Sequence, residues 1–252
     1  MRRRVESSQG VAWRGFALAA GFLIGGRIAG FAATEDAAGD RFAGMRQRMV
    51  EEQIERRGVR DPRVLEAMRT VPRHLFVPAG LRDRAYDDAP LPIGDGQTIS
   101  QPYIVAFMTE AARLKPGDRV LEVGTGSGYQ AAVLAAVGAE VMSIEILPGL
   151  AERARQALAA AGFAKVKVRT GDGFRGWPEA APFDAVVVTA APDEVPPPLL
   201  GQLKVGGRLV IPVGTGTQEL IRVTRTAKGY ERESLLPVRF VPMTGEARGP
   251  RH

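Results

Sequence analysis

From residue 42 onward the apolar positions recur with two periods, and the change between them divides the chain. Over residues 43–57, Met45, Met49, Val50 and Ile54 fall on one face of a helix. Asp61-Pro62 opens a second helix, with Asp at the N-cap and Pro in the first turn, running through Val64, Leu65 and Met68 and stopping before Pro72. A Pro- and Gly-rich stretch, 78–96, carries no periodicity. Gln101-Pro102 then opens a third helix with Ile104, Val105, Met108 and Ala112 facing inward.

Beyond residue 118 the pattern becomes strand and helix in alternation. RVLEV (119–123), EVMSIE (140–145), KVKVR (165–169), DAVVVTA (184–190) and GRLVIPV (207–213) predict strands. Helices are predicted over 129–137, 148–160 and 193–203. The 184–190 run is apolar throughout, as a strand buried on both faces should be. Two further strand-like runs, 220–225 and 235–241, have no helix between them, which predicts an antiparallel arrangement at a sheet edge. The fold class is therefore α/β: a doubly wound, mostly parallel seven-stranded sheet with an antiparallel edge and a helical N-terminal lead-in.

The ends differ. Residues 1–40 begin with Arg2, Arg3 and Arg4, pass through an apolar stretch at 15–26 and reach small residues near Ala32 and Ala33. This has the form of a signal segment, or of a disordered extension. Its apolar run is shorter than the ~20 residues that span a bilayer, so no stable membrane insertion is expected. The domain proper is placed at 41–245, with a loose polar tail at 246–252.

Composition narrows the chemistry. The chain has no cysteine and two histidines, His74 and His252. Thiol catalysis, disulfides and Cys- or His-rich metal sites drop out, and no metal is expected. His74 reads as a packing or hydrogen-bonding residue. The net charge is +6, with no basic block beyond Arg2–Arg4, so no nucleic-acid partner is indicated.

The strongest local signal is VLEVGTGSGYQ (120–130). Gly124, Gly126 and Gly128, with Thr125 among them, turn the chain sharply at a strand's carboxyl end, where open α/β sheets bind ligands. The spacing is G-x-G-x-G, and Tyr129 stands where the third glycine of a dinucleotide loop would fall. Glu122 precedes the loop, Glu145 ends the second strand 21 positions after Gly124, and Asp172-Gly173 follows the third. Acids at three successive strand ends, with no base in the loop, favour S-adenosylmethionine over a nicotinamide dinucleotide. Glu122 is expected near a methionine amino group, Glu145 at ribose hydroxyls, and Asp172 at an adenine amino group. Trp177 and Pro178 would cover the sheet edge near the adenine or pack the core. In PLPIGDGQTISQPYIVAFMTE (90–110), Thr98, Ile99 and Ser100 lie at a helix start, where a hydroxyl and free N–H groups suit an anion. Thr98 or Ser100 could equally cap that helix.

These segments resemble those of protein-L-isoaspartate O-methyltransferases. The resemblance runs over residues 45–247 and includes GWPEAAPFDAVVVTAA, LLGQLKVGGRLVIPVG and FVPMTG. The 98–102 stretch is its most specific part. It implies a Rossmann-like methyltransferase fold, Ser100 as the active-site residue, Thr98 and Ile99 beside it at the substrate, and the glycine loop, Glu145 and Asp172 at the cofactor. It also implies methyl transfer to the α-carboxylate of L-isoaspartyl residues in damaged proteins and peptides. A carboxylate is already ionised at neutral pH, which suits a chain almost without histidine. The 192–198 segment could form one wall of the substrate site or serve as a rigid loop. A methyltransferase for another substrate, or a non-catalytic cofactor-binding domain, remains the alternative. A monomer is expected. Cytoplasmic residence is favoured because the methyl donor is cytosolic; export through 1–33 is the alternative.

Overall fold

The computed structural model describes residues 41–248; the signal-like reading of 1–40 and the last four residues lie outside them. Helix α1 covers 41–48 and continues as a π-helical turn, Met49–Ile54, and a 3-10 turn, Glu55–Arg57. Helix α2 is Pro62–Thr70. Its Asp61 side chain accepts the Arg63 N–H at 2.9 Å, the capping expected from Asp61-Pro62.

The 78–96 stretch holds an element the periodicity does not reveal. A hairpin forms from β1 (Leu91–Gly94) and β2 (Gln97–Ile99), turning through Asp95-Gly96. Helix α3 (Pro102–Ala112) follows.

The main sheet contains β3 (Arg119–Val123), β4 (Glu140–Glu145), β5 (Lys167–Thr170), β6 (Phe183–Val188), β7 (Leu203–Val213), β8 (Gln218–Thr226) and β9 (Gly229–Val238), in the order β5-β4-β3-β6-β7-β8-β9. The strands from β5 to β7 are parallel neighbours, and β8 and β9 add antiparallel. Helices α4 (Tyr129–Ala136), α5 (Pro148–Ala160) and α6 (Pro197–Gly201) fill the crossovers. The last is much shorter than the expected 193–203. Pro196, Pro197 and Pro198 allow a helix to start but supply no N–H to extend it backward.

Alternation along the strands divides the core. Val120, Ala185, Val187 and Val210 face α3 and α4, whereas Leu121, Val123, Val186, Val188 and Leu209 face Leu199 and Met243. At the carboxyl rim Val123 aligns with Ile144 on one side and Val188 on the other. The chain runs outward from β3 through β4 to β5, then returns to β6 and runs the other way, so β3 and β6 meet at the topological switch point.

Candidate active site

At that switch point the backbone leaves β3 into the glycine loop. Gly124 has φ +95°, and a Cβ there would stand 2.4 Å from Thr189 Oγ1, just past β6. The Thr189 N–H donates to Val123 O at 2.9 Å and its hydroxyl to Gly124 O at 2.6 Å. Gly128, φ +90°, is the N-cap of α4 and packs on Leu158. Glycine therefore holds the loop against β6 and α5 in conformations that a side chain would strain.

Over the loop lies a cavity open to solvent. It is lined by 97–100 from the hairpin, 123–127 from the loop, 144–147, Gly173, Thr189 and Ala190, and 241–244. Glu145 is its one charged lining residue. The carboxylate accepts the Gly126 N–H at 2.8 Å through Oε2 and the Leu147 N–H at 3.1 Å through Oε1. Those bonds fix its direction, and each oxygen keeps acceptor capacity for a hydroxyl. A cavity with an acid and no Lys or Arg suits a cation and disfavours a pyrophosphate. Of the expected cofactor residues, Gly124, Thr125, Gly126, Glu145 and Gly173 line this space, and Gly128 ends the loop behind it.

Two of the expected cofactor acids lie outside the cavity lining. Glu122 is fully buried and does not line the cavity. Strand alternation sends its side chain to the opposite face from Val123, where its Oε2 accepts the Ser143 hydroxyl. Ser143 in turn lies 2.5 Å from the Thr125 hydroxyl, so the acid reaches the loop only through this chain. Burial raises the Glu122 carboxyl to about 8, with Glu145 adding to the rise against the Ser143 bond, so the group is largely protonated at neutral pH. Asp172 is also withdrawn from the cavity. Its Oδ1 accepts the Phe174 N–H at 2.9 Å and its Oδ2 the Glu246 N–H at 2.8 Å. It ties a short 3-10 turn to the C-terminal segment instead. For the same reason the expected loose tail is ordered at its start: Gly245–Arg248 forms a 3-10 turn, with Glu246 paired to Arg175 at 2.6 Å.

On the substrate side, Thr98 and Ser100 line the first cavity and also a second one. Thr189 and Val241 are shared as well, so the two spaces meet at these four residues. The second space carries Arg57 and Arg239 and runs along 236–241. Ile99 lines only the first. Helix α3 is capped by Gln101 without a side-chain bond, so neither Thr98 nor Ser100 serves as its cap.

None of residues 192–198 lines either cavity; residues 241–244 close the first one. They are fastened by Ala191 N–H to Val241 O at 2.9 Å and Met243 N–H to Ala191 O at 2.7 Å. The FVPMTG string was the available signal. Trp177 packs in the core under Arg169, 4.2 Å from its ring centroid, and does not line the cavity. His74 stacks on Phe42 at 4.1 Å and shares a 2.8 Å bond with the Tyr86 hydroxyl, in keeping with a packing role.

The chain is similar to known proteins over most of its length. A Synechococcus protein-L-isoaspartate O-methyltransferase is 61% identical, aligned over 82% of this chain and 88% of its own. That of Gloeobacter violaceus is 58% identical over 79% of this chain and 98% of its own. A solved protein-L-isoaspartate O-methyltransferase superposes with TM-score 0.73 at 30% identity, over 80% of this chain and 67% of its own. A Plasmodium falciparum structure bearing the same family description, solved in complex with S-adenosyl-L-homocysteine, superposes with TM-score 0.71 at 26% identity over 79% and 98%. The family profile of protein-L-isoaspartate(D-aspartate) O-methyltransferases matches residues 45–248. The chain belongs to the protein-L-isoaspartate(D-aspartate) O-methyltransferase family.

Proposed function

We propose that this chain is a protein repair enzyme that moves the methyl group of S-adenosylmethionine to the α-carboxylate of L-isoaspartyl residues in damaged proteins and peptides. The observation that carries this is the junction of two cavities at Thr98, Ser100 and Thr189. One space has the glycine-lined approach and the single acid that suit a sulfonium nucleoside. The other opens along an extended backbone segment and carries Arg239, a cation suited to an anionic peptide group, with Arg57 beside it paired to Asp88 at 3.1 Å.

When bound, S-adenosylmethionine supplies a methyl carbon activated by its sulfonium charge. The protein's part is placement. Gly124 and Gly126 allow close backbone approach, and Glu145 presents carboxylate oxygens to ribose hydroxyls. Ser100, with Thr98 and Ile99 beside it, holds the acceptor carboxylate at the junction. No general base is needed, because the acceptor is ionised at neutral pH. Orientation of this kind supplies about 7–11 kcal/mol of a barrier in favourable cases. The working compartment is the cytoplasm, the enzyme acts as a monomer, and neither metal nor nucleic acid takes part. Among the described residues no helix is long and apolar enough to cross a membrane.

The test uses labelled S-adenosylmethionine and a matched peptide pair, one with L-isoaspartate and one with normal aspartate. Base-labile label on the isoaspartyl peptide alone is the expected result. Equal labelling of both, or of neither when the cofactor is bound, would overturn the substrate assignment.

A further inference from the structure

Arg73 is completely buried, and among the described residues no carboxylate lies within ion-pair distance of it. Its Nε donates to Ala85 O at 2.7 Å and its Nη2 to Ser100 O at 2.7 Å. Its Cζ lies 4.8 Å from the ring centroid of Tyr129, while Nη1 has no partner. Burying a cation without a counter-ion is costly, and a well-packed apolar residue of similar volume serves stability as well or better. Stability alone therefore does not account for an arginine here.

What the guanidinium does is join segments distant in the chain. Ser100 lies between β2 and α3, at the junction of the two cavities. Tyr129 is the first residue of α4, directly after the glycine loop, and lines the cofactor-side cavity. One rigid planar group thus touches the backbone of the residue holding the acceptor and the ring next to the loop holding the donor. We infer that Arg73 is a positioning residue, one that sets the distance and angle between Ser100 and the glycine loop without touching either substrate. The inference rests on the assignment of Ser100 to the acceptor carboxylate. Burial lowers the Arg73 pKa to about 10, which leaves it charged at neutral pH and able to use the planar fork.

The experiment is a double-mutant cycle with Arg73→Met and Ser100→Ala, reading kcat and KM for an isoaspartyl peptide, the Kd for S-adenosylmethionine, and thermal stability. Arg73→Met is expected to lower kcat about 30- to 100-fold, the scale of an ångström-level misplacement, with the cofactor Kd within about threefold. In the Ser100→Ala background the same change should cost less than about threefold, because residues acting as one unit are not additive. Arg73→Lys should fall between, since an ammonium lacks the fork that spans both carbonyls. Should Arg73→Met not fold, Arg73→Lys in both backgrounds gives the same comparison. An equal kcat loss in both backgrounds, or a cofactor Kd that rises in step with the loss, overturns the inference while leaving the Ser100 assignment in place. Full turnover by Ser100→Ala alone removes that assignment and this inference together.

Discussion

Gly124→Ala tests whether the contact between β3 and β6 is as close as the geometry states. At φ +95° the residue lies beyond the left-handed region that L side chains tolerate, near +50 to +70°. Even within that region the conformation costs about 1–2 kcal/mol. The added Cβ also falls 2.4 Å from Thr189 Oγ1, which must leave its 2.6 Å bond to Gly124 O. Losing that bond adds about 1 kcal/mol. The sum, about 2–3 kcal/mol, corresponds to a fall in Tm of roughly 5–10 °C for a domain of this size. Gly126→Ala is the control. Its φ of +55° lies inside the tolerated region and its nearest neighbour, Ile93 Cδ1, is 3.6 Å away, so only the conformational cost of about 1 kcal/mol applies. Thermal unfolding of both variants, and of Gly124→Ala combined with Thr189→Ala, decides the matter. In a Thr189→Ala background, where the Thr189 bond to Gly124 O is already gone, Gly124→Ala should cost only the conformational part, about 1–2 kcal/mol. A Gly124→Ala protein that melts with its parent, or no earlier than Gly126→Ala, would refute the reasoning.

Other expectations follow from the same site. Glu145→Ala should weaken S-adenosylmethionine about 10- to 100-fold, the scale of losing hydrogen bonds to a charged acceptor; an unchanged Kd by titration calorimetry would remove Glu145 from the ribose. Asp172→Ala should lower stability by about 1–2 kcal/mol, because it frees the Phe174 and Glu246 N–H groups, and should leave the cofactor Kd nearly unchanged; a large loss of affinity would restore Asp172 to the cofactor. For Glu122 the folded carboxyl titrates near 8 against an ordinary 4.5. The folded protein therefore keeps a proton that the unfolded chain gives up. This contribution is complete below 4.5 and is lost as the pH rises through 8, at up to about 1.4 kcal/mol per pH unit. Glu122→Gln should flatten the fall in Tm over that window, and parallel pH profiles for variant and parent would contradict the assignment.

What could be read from the residues, and what could not, follows from how locally each feature is determined. The parallel strands were legible because burial on both faces leaves continuous apolar runs such as Val186-Val187-Val188. The glycine loop and Glu145 were legible because strand ends and tight turns are fixed by near neighbours. The β1–β2 hairpin was missed although Asp95-Gly96 is a turn signal, because four- and three-residue strands carry too little alternation to stand out among prolines. Helix α6 was drawn too long because apolar content outweighed the prolines. Glu122 and Asp172 stand at the expected strand ends, but the direction of each side chain is set by partners remote in sequence, Ser143 and Glu246. Arg73 gave no signal at all, since an arginine among apolar residues ordinarily sits at the surface.

The fastening of 241–244 to Ala191 means that a segment near the end of the described chain is also a wall of the pocket above the glycine loop. The parallel strands and the glycine loop are complete well before these residues are reached along the chain. The pocket is therefore complete only when residues from both parts of the chain are in place. A ligand held there would touch early and late parts of the polypeptide at once, and its occupancy should protect the C-terminal segment from proteases by mass action.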